Sequence, residues 1–401
     1  MALENIKYKK PLVIGMGGGN DIVSSTIILS YLKERVINAD LAGISSPGAW
    51  HNYNGKEEEP VNLVSKNTIR YIDSKNPVNI SYIDPQLPTL LEKENINARV
   101  YNLSLRYGTN ELIKGLEQLI EEQRYDGIIA VDIGGDVLAR GKQHSTILSP
   151  LMDFSTLYVI NQLNTPSILV EFGLQTDGEL RPDSCKEILE DLERSNAIPS
   201  TFELKKQDKA IESFKRIYSE IEKIRHGHTA NMTLETLEKD EDIHAEYRSR
   251  VRVLDKKWYF NFPITLEKKY FGKGFIIDPK VVFKKTQLSF PFNDPFELYI
   301  KMKKKIDTRA EMDMLYSKPN NTVVWLGVLC PQIKGKQRGE VLNYGLQQLE
   351  VHADVGLFWK KDEEFLEKGN RKSEHLDDFI LIGSDENKLL KVKNKIQEIL
   401  K

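Results

Sequence analysis

Two loops that combine glycine with aspartate constrain the fold of this chain more than any other feature of its sequence. The first spans residues 15–21 (GMGGGND) and follows the apolar run 11–14; the second spans residues 132–136 (DIGGD) and follows the apolar run 128–131. Short apolar runs that are bounded by turn signals are typical of buried parallel strands. Because open α/β sheets bind ligands outside the carboxyl ends of their strands, we expect a binding site at these two loops.

Strand-like and helix-like segments alternate through the first half of the chain. We predict strands at 11–14, 41–44, 78–83, 127–131 and 167–172, and helices at 21–35, 109–124, 151–163, 185–194 and 208–224. This alternation predicts an α/β fold with a doubly wound, mostly parallel Rossmann-like sheet. In a sheet with strand order 3-2-1-4-5 the first and fourth strands are neighbours, and the two loops, with Asp21 and Asp136, would then lie close together.

The sequence pattern changes after about residue 245. Residues 247–253 and 257–262 alternate with period 2, and residues 274–283 also resemble a strand. Beyond residue 321 a βαββα pattern predicts an additional C-terminal α+β module. We therefore divide the chain into a Rossmann-like α/β domain with a ligand crevice (1–245), a β-rich and helical extension that completes this domain (246–320) and the small α+β module (321–401).

Composition narrows the class of protein. The chain has 401 residues, of which 40% are hydrophobic and 29% charged, so it can bury a core and present a charged surface. Its net charge of -2 gives no indication of a nucleic-acid partner. The two cysteines, Cys185 and Cys330, suffice neither for a disulfide framework nor for a thiolate metal site. With no apolar signal segment or membrane span in the sequence, we expect a cytoplasmic protein without a membrane partner.

The glycines of the first loop allow the backbone to approach a ligand closely, and the N–H groups at the following helix favour an anion. The loop lacks the third glycine of the dinucleotide fingerprint, and the second strand ends in Ser45 and Ser46 instead of a ribose-binding acid, so we do not expect NAD. A tight turn that needs glycine for packing alone is the alternative. The candidate ligand-binding residues of this loop are Gly17, Gly18, Gly19, Asn20 and Asp21.

The second loop adds Gly134 and Gly135 as ligand-binding candidates and Asp132 and Asp136 as catalytic candidates. Carboxylates in a crevice suit a divalent cation, sugar hydroxyls or a substrate amine. We therefore consider Asp21 and Asp136 candidate Mg²⁺ ligands. The alternatives are that Asp136 caps the next helix and that Asp132 bonds backbone amides.

Three residues outside the two loops are further candidates. Arg140 could lie in a basic lid that holds a phosphate or carboxylate, or in a solvated loop. Asp177 follows the fifth strand and suits a ligand crevice or a turn equally. His228 could act as general acid–base, or it could be a histidine at a helix end that the helix dipole favours.

Two more acids have simpler interpretations. Asp153 stands at the start of a predicted helix, where an acid is explained by the helix dipole. Glu171 stands near the carboxyl end of the fifth strand, a location that suits a crevice role.

The residues of both loops, together with segments 137–141, 149–153 and 176–180, resemble the "domain of unknown function 1152" family of archaea and bacteria. The resemblance covers approximately residues 10–320. It implies a Rossmann-like fold and a pocket, but it implies no reaction.

The sequence thus favours an enzyme, a transferase or hydrolase, that acts on a small polar metabolite bearing phosphate or ribose, with Mg²⁺ as candidate cofactor. The alternative is a sensor or assembly protein that binds a nucleotide or metabolite without turnover. In both cases the expected partner is a small molecule, and a homo-oligomer is compatible with the sequence.

Overall fold

The computed structural model describes residues 3, 6–17, 21–45, 63–65, 68–72, 86–105, 108–140, 151–176, 180–223, 228–239, 241–253, 256–286, 291, 323–328, 354–358 and 378–385. For residues 45, 63–65, 70, 151, 228, 245–253, 256–265 and the strands beyond residue 320, only the backbone is described.

The strands are β1 (Pro11–Gly15), β2 (Asp40–Ser45), β3 (Leu63–Ser65), β4 (Ile69–Ile72), β5 (Val100–Ser104), β6 (Gly127–Ile133), β7 (Ser167–Phe172), β8 (Ser200–Phe202), β9 (Ile243–Val253), β10 (Lys256–Leu266), β11 (Gly274–Ile277), β12 (Val323–Val328), β13 (Asp354–Phe358) and β14 (Asp378–Asp385). The helices are α1 (Asp21–Ser24), α2 (Thr26–Glu34), α3 (Leu87–Lys93), α4 (Thr109–Gln123), α5 (Leu151–Gln162), α6 (Pro182–Arg194), α7 (Lys209–Glu222), α8 (His228–Glu238), α9 (Lys268–Phe271) and α10 (Pro279–Lys285).

Within the described residues, nine strands form the main sheet, in the order β3-β4-β5-β2-β1-β6-β7-β11-β8. The five central strands, from β5 to β7, are parallel. Their order corresponds to 3-2-1-4-5, and β1 pairs with β6, which confirms the predicted topology. The carboxyl ends of β1 and β6 therefore adjoin at the point where the strand order reverses, which is the usual ligand position in this architecture.

The third parallel strand differs from the prediction. It is β5, whereas the predicted strand at 78–83 lies outside the described residues. The polar Asn102 and Ser104 interrupt the apolar pattern of β5, although all five of its residues are buried. Tertiary burial thus overrides a weak local pattern.

Helices cover both faces of the sheet and give three layers. One face carries the buried apolar side chains of α2, α3 and α7, which pack around Val13, Ile129 and Val131. The other carries those of α4, α5, α6 and α10, which pack around Leu12, Ile14 and Ile128. Because successive residues of a strand alternate between faces, each central strand contributes to both layers of core. This explains why these strands read as continuous apolar runs.

Two predicted elements need correction. The helix predicted for 21–35 is interrupted at Ser25, whose hydroxyl donates a 2.5 Å hydrogen bond to the carbonyl of Asp21. The backbone N–H of Ser25 also bonds this carbonyl, so the interruption is a local bend of the kind that serine back-bonding produces, not a loss of the helical hydrogen bond. The strand predicted for 274–283 ends at Ile277, because Asp278 caps a helix that begins at Pro279.

A second sheet contains the long antiparallel ribbon of β9 and β10, and β14 pairs with β9 in the parallel sense. Strands β12 and β13 both pair with β14. The helices predicted for the C-terminal module lie outside the described residues. No helix in the described ranges is both long and apolar enough to cross a membrane.

Candidate functional site

Three buried aspartates converge where β1 and β6 end. Asp21 begins α1, Asp132 is the penultimate residue of β6, and Asp153 lies in the first turn of α5. Each offers a carboxylate oxygen, and these oxygens all lie within 4.8 Å of one another. The three residues are 6%, 1% and 3% exposed. We call them the aspartate cluster.

The strand alternation explains how Asp132 reaches α5. Ile128 and Ala130 pack in the core on the α5 side of the sheet, and Asp132 shares their face because it is two residues further along. Glu171 on β7 stands opposite Asp132 in the parallel register and is fully buried. The side chains of Glu171 and Asp153 are both close enough to Asp132 to affect its pKa. Four buried carboxyl groups are thus in close proximity.

Gly17 fixes Asp21 in this arrangement. Its backbone N–H donates a 2.8 Å hydrogen bond to Oδ2 of Asp21. A Cβ at position 17 would overlap the Asp21 carboxylate and lie 3.0 Å from Oδ1 of Asp153. Glycine is therefore needed here because two carboxylates pack against the backbone.

A second contact joins the first loop to α5. The hydroxyl oxygen of Thr156 lies 3.1 Å from the carbonyl oxygen of Met16 and 2.8 Å from that of Met152. Met16 in turn donates its N–H to the carbonyl of Val131 on β6. These contacts set the relative positions of the first loop, β6 and α5.

Burial dominates the electrostatics of the cluster. It raises the pKa of Asp132 above its usual value, since loss of water disfavours the charged carboxylate. The neighbouring side chains of Glu171 and Asp153 and the backbone N–H of Val137 oppose this effect. None of these influences on Asp132 is a cation, so its charged form is disfavoured in the core unless it shares a proton with a neighbouring carboxyl group or binds a positive ligand.

The second loop has glycine for reasons of conformation and packing. Gly134 and Gly135 have φ values of 111° and 103°, a region that L side chains rarely adopt. A Cβ on Gly135 would also lie 2.6 Å from Cδ1 of Leu180. The alternative interpretation of Asp132 is observed as well, because the N–H of Val137 lies 3.3 Å from its Oδ2.

Asp136 begins a 3₁₀ turn directly after the second loop and is 6% exposed. It does not belong to the aspartate cluster, in which Asp132 and Asp153 are the partners of Asp21. Among the described residues, the pairing with Asp21 that we predicted for Asp136 is thus made by two other acids.

Arg140 forms an ion pair away from the aspartate cluster. Its guanidinium lies 2.6 Å from Oδ2 of Asp191 on α6, and the ammonium of Lys285 on α10 lies 2.7 Å from the same oxygen. These cations hold the pKa of Asp191 below its usual value. The structure thus pairs Arg140 with α6, and Lys285 of α10 contacts the same acid.

The remaining predicted residues are not placed. His228 is the first residue of α8, and only its backbone is described. Gly18, Gly19, Asn20 and Asp177 also lie outside the described residues.

Sequence reasoning gave too little weight to Asp153 and Glu171. From the sequence, the helix dipole alone explains Asp153, whereas in the structure it belongs to the aspartate cluster. The positions of Asp132 and Glu171 in their strands could have indicated a shared site. Each is the penultimate residue of a mainly apolar strand, and the two strands are neighbours. A charged residue in such a run is costly to bury and therefore informative.

Comparison with known proteins agrees with the resemblance noted in the sequence. No curated protein and no solved structure matches the chain. The model of the family described as "Protein of unknown function (DUF1152)" matches residues 12–224, a segment that contains the aspartate cluster and Glu171. This match covers more than half of the 401 residues, and the chain therefore belongs to that family.

Proposed function

We propose that the protein is an enzyme that acts on a small polar metabolite bearing phosphate or ribose, with a divalent cation bound by Asp21, Asp132 and Asp153. The observation that carries this proposal is the approach of three buried carboxylate oxygens to within 4.8 Å of one another. A cation there would neutralise charge that is otherwise unfavourable in the core.

The donor set fits a hard cation. Mg²⁺ binds oxygen ligands at 2.0–2.1 Å, so two of its ligands are at most about 4.2 Å apart, whereas Ca²⁺ ligands at 2.3–2.6 Å are up to about 5 Å apart. Oxygens that lie within 4.8 Å of one another are near the spacing that either ion requires, and Mg²⁺ needs the greater contraction of the site. Mg²⁺ commonly completes its shell with waters and substrate phosphates.

This arrangement changes the role proposed for the first loop. The N–H of Gly17 already bonds the Asp21 carboxylate, which occupies the place where we expected a substrate anion. We therefore propose that a phosphate or a pair of hydroxyls binds through the cation. Asp136 at the adjacent turn, or His228, would transfer protons at this site.

Metal binding is the first test. Titration calorimetry with Mg²⁺, Mn²⁺ and Ca²⁺ should show binding at a single site, and Asp153→Asn should weaken it at least about tenfold because a ligand is lost. Asp183→Asn is the matched control, since Asp183 is also a first-turn acid but is exposed on α6. Equal affinities of the wild type and Asp153→Asn would refute the cation site.

Turnover is the second test. The wild type is incubated with nucleotides and sugar phosphates, with and without Mg²⁺, while the thermal shift and product formation are followed. Metal-dependent product formation that Asp136→Asn abolishes supports the enzyme. A ligand that raises the Tm without any product would instead support a non-catalytic sensor.

A further inference from the structure

The ribbon of β9 and β10 carries a concentrated positive charge that the aspartate cluster does not involve. In its register Arg252 stands opposite Lys257, and Arg250 stands opposite Tyr259. Directly opposite residues, and residues two apart on one strand, share a face of an antiparallel pair. One face therefore holds four cations, Arg248, Arg250, Arg252 and Lys257, and one acid, Glu246, and we call it the basic face.

The other face of the ribbon has the opposite character. There Trp258 stands opposite Val251, and Phe262 stands opposite Tyr247. Apolar residues favour burial, whereas unpaired cations in a core are very costly. The face that holds Trp258 and Phe262, which we call the aromatic face, is therefore suited to packing. The basic face is suited to contact with water or with an anionic partner.

The basic face has a cost that an anion would offset. Like charges directly opposite each other destabilise a strand pair, and the register places Arg252 opposite Lys257 in this way. The net charge of the whole chain is only -2, so the four cations are a local concentration. From Arg248 to Arg252 they extend about 14 Å along the strand.

We propose that the basic face binds the phosphate backbone of a nucleic acid. Among the described residues β14 pairs with β9 only at Val251 and Arg252, and the remaining part of the ribbon is two-stranded, a form that fits the major groove of a duplex. Arginine and lysine are the usual phosphate contacts. Tyr259, on the same face, offers a ring on which a base can stack. A membrane-binding surface would combine its cations with apolar residues at one interface, whereas four of the five Arg and Lys residues of this ribbon lie on the face opposite Trp258 and Phe262, and Lys256 alone shares the aromatic face.

This proposal is independent of the metabolite site. It also revises the expectation drawn from the net charge, because an average over 401 residues conceals a patch that depends on strand register. The strand register places residues that alternate along the sequence together on one face of the ribbon.

The test is fluorescence anisotropy of the full chain with labelled single-stranded RNA and duplex DNA. Between about 50 mM and about 200 mM salt, four phosphate contacts predict a loss of affinity of about 50-fold for a single strand and about 150-fold for a duplex. A variant with Arg248→Gln, Arg250→Gln, Arg252→Gln and Lys257→Gln should bind at least about tenfold more weakly at the lower salt.

The matched control removes four positive charges elsewhere, from the exposed residues Lys114, Lys186, Lys205 and Lys206. It should bind like the wild type. Equal weakening in both variants would show that only net charge matters and would overturn the proposal.

A single substitution tests the proposal even if the fourfold variant does not fold. Arg250→Gln alone should reduce the slope of log affinity against log salt by about 0.7 to 0.9. An unchanged slope, or a wild type that binds anionic phosphatidylserine vesicles but no nucleic acid, would also overturn the proposal.

Discussion

At the scale of single residues, Gly17 shows that a glycine can indicate close packing of other side chains against the backbone. From the sequence we interpret Gly17 as a contact for a bound anion. In the structure, its missing side chain makes room for the carboxylates of Asp21 and Asp153. Its N–H bonds Asp21 in the way it would bond a ligand. The glycine and the aspartates are thus one structural unit.

Replacing Gly17 with alanine tests this unit. The new methyl group would displace the Asp21 carboxylate, and we expect at least about tenfold weaker Mg²⁺ binding. Gly274→Ala is the control, because its Cβ would overlap the ring of Phe202, away from the aspartates. Calorimetry should show that this control loses stability yet retains its metal affinity.

The raised pKa of Asp132 predicts a pH dependence of the metal-free protein. The native state keeps this proton to a higher pH than the unfolded state does, so the free energy of unfolding should fall as the pH rises from about 4 through the raised pKa. Asp132→Asn removes this group, and its curve should fall less steeply. Denaturant titrations in a chelator at several pH values measure the difference, and parallel curves would contradict the prediction.

At the scale of elements, four helices end in the same way. After α2, α3, α4 and α6 one residue adopts a left-handed conformation, and the next N–H bonds back to the last turn. Asn95 and Asn196 fill this position after α3 and α6, which suits asparagine. After α2 it is Val36, with φ 62° and 92% exposure.

A β-branched residue in this conformation is strained. We expect Val36→Asn to stabilise the protein by about 1 kcal/mol, because it removes the strain and no buried contact is lost. The reverse exchange, Asn196→Val, should destabilise it by a similar amount. Urea denaturation measures both, and an unchanged midpoint for Val36→Asn would show that the backbone at this helix end relaxes without strain.

At the scale of the whole molecule, the doubly wound sheet brings together acids that are more than 130 residues apart in the chain, from Asp21 to Asp153. Such a site opposes stability unless its carboxyl groups share protons or bind a positive ligand. We therefore expect a measurable thermal response to the cation.

Mg²⁺ at about one hundred times its Kd should stabilise the wild type by about 2.7 kcal/mol, which corresponds to a rise in Tm of about 3–5 °C for a cooperative unit of roughly 250 to 400 residues. Asp132→Asn should be more stable than the metal-free wild type at neutral pH, because it carries no buried carboxylate at this position, and it should respond little to Mg²⁺. Differential scanning calorimetry distinguishes this pattern from simple loss of structure. A variant that is both less stable and fully responsive would contradict it.

The sequence by itself determined the alternation of strands and helices, the position of the two loops and the family. It could do so because apolar runs and glycine turns are local signals. It was less informative for β5 and for the break at Ser25, where burial and a side-chain hydrogen bond override the local pattern.

Only the tertiary structure decided which acids share a site. Asp153 and Glu171 join Asp132 because of helix packing and strand register, and Asp136, although it lies in the predicted loop, is not part of the cluster. The physical reason is that a local pattern reveals whether a residue is buried, whereas the identity of its neighbours depends on pairings between distant segments.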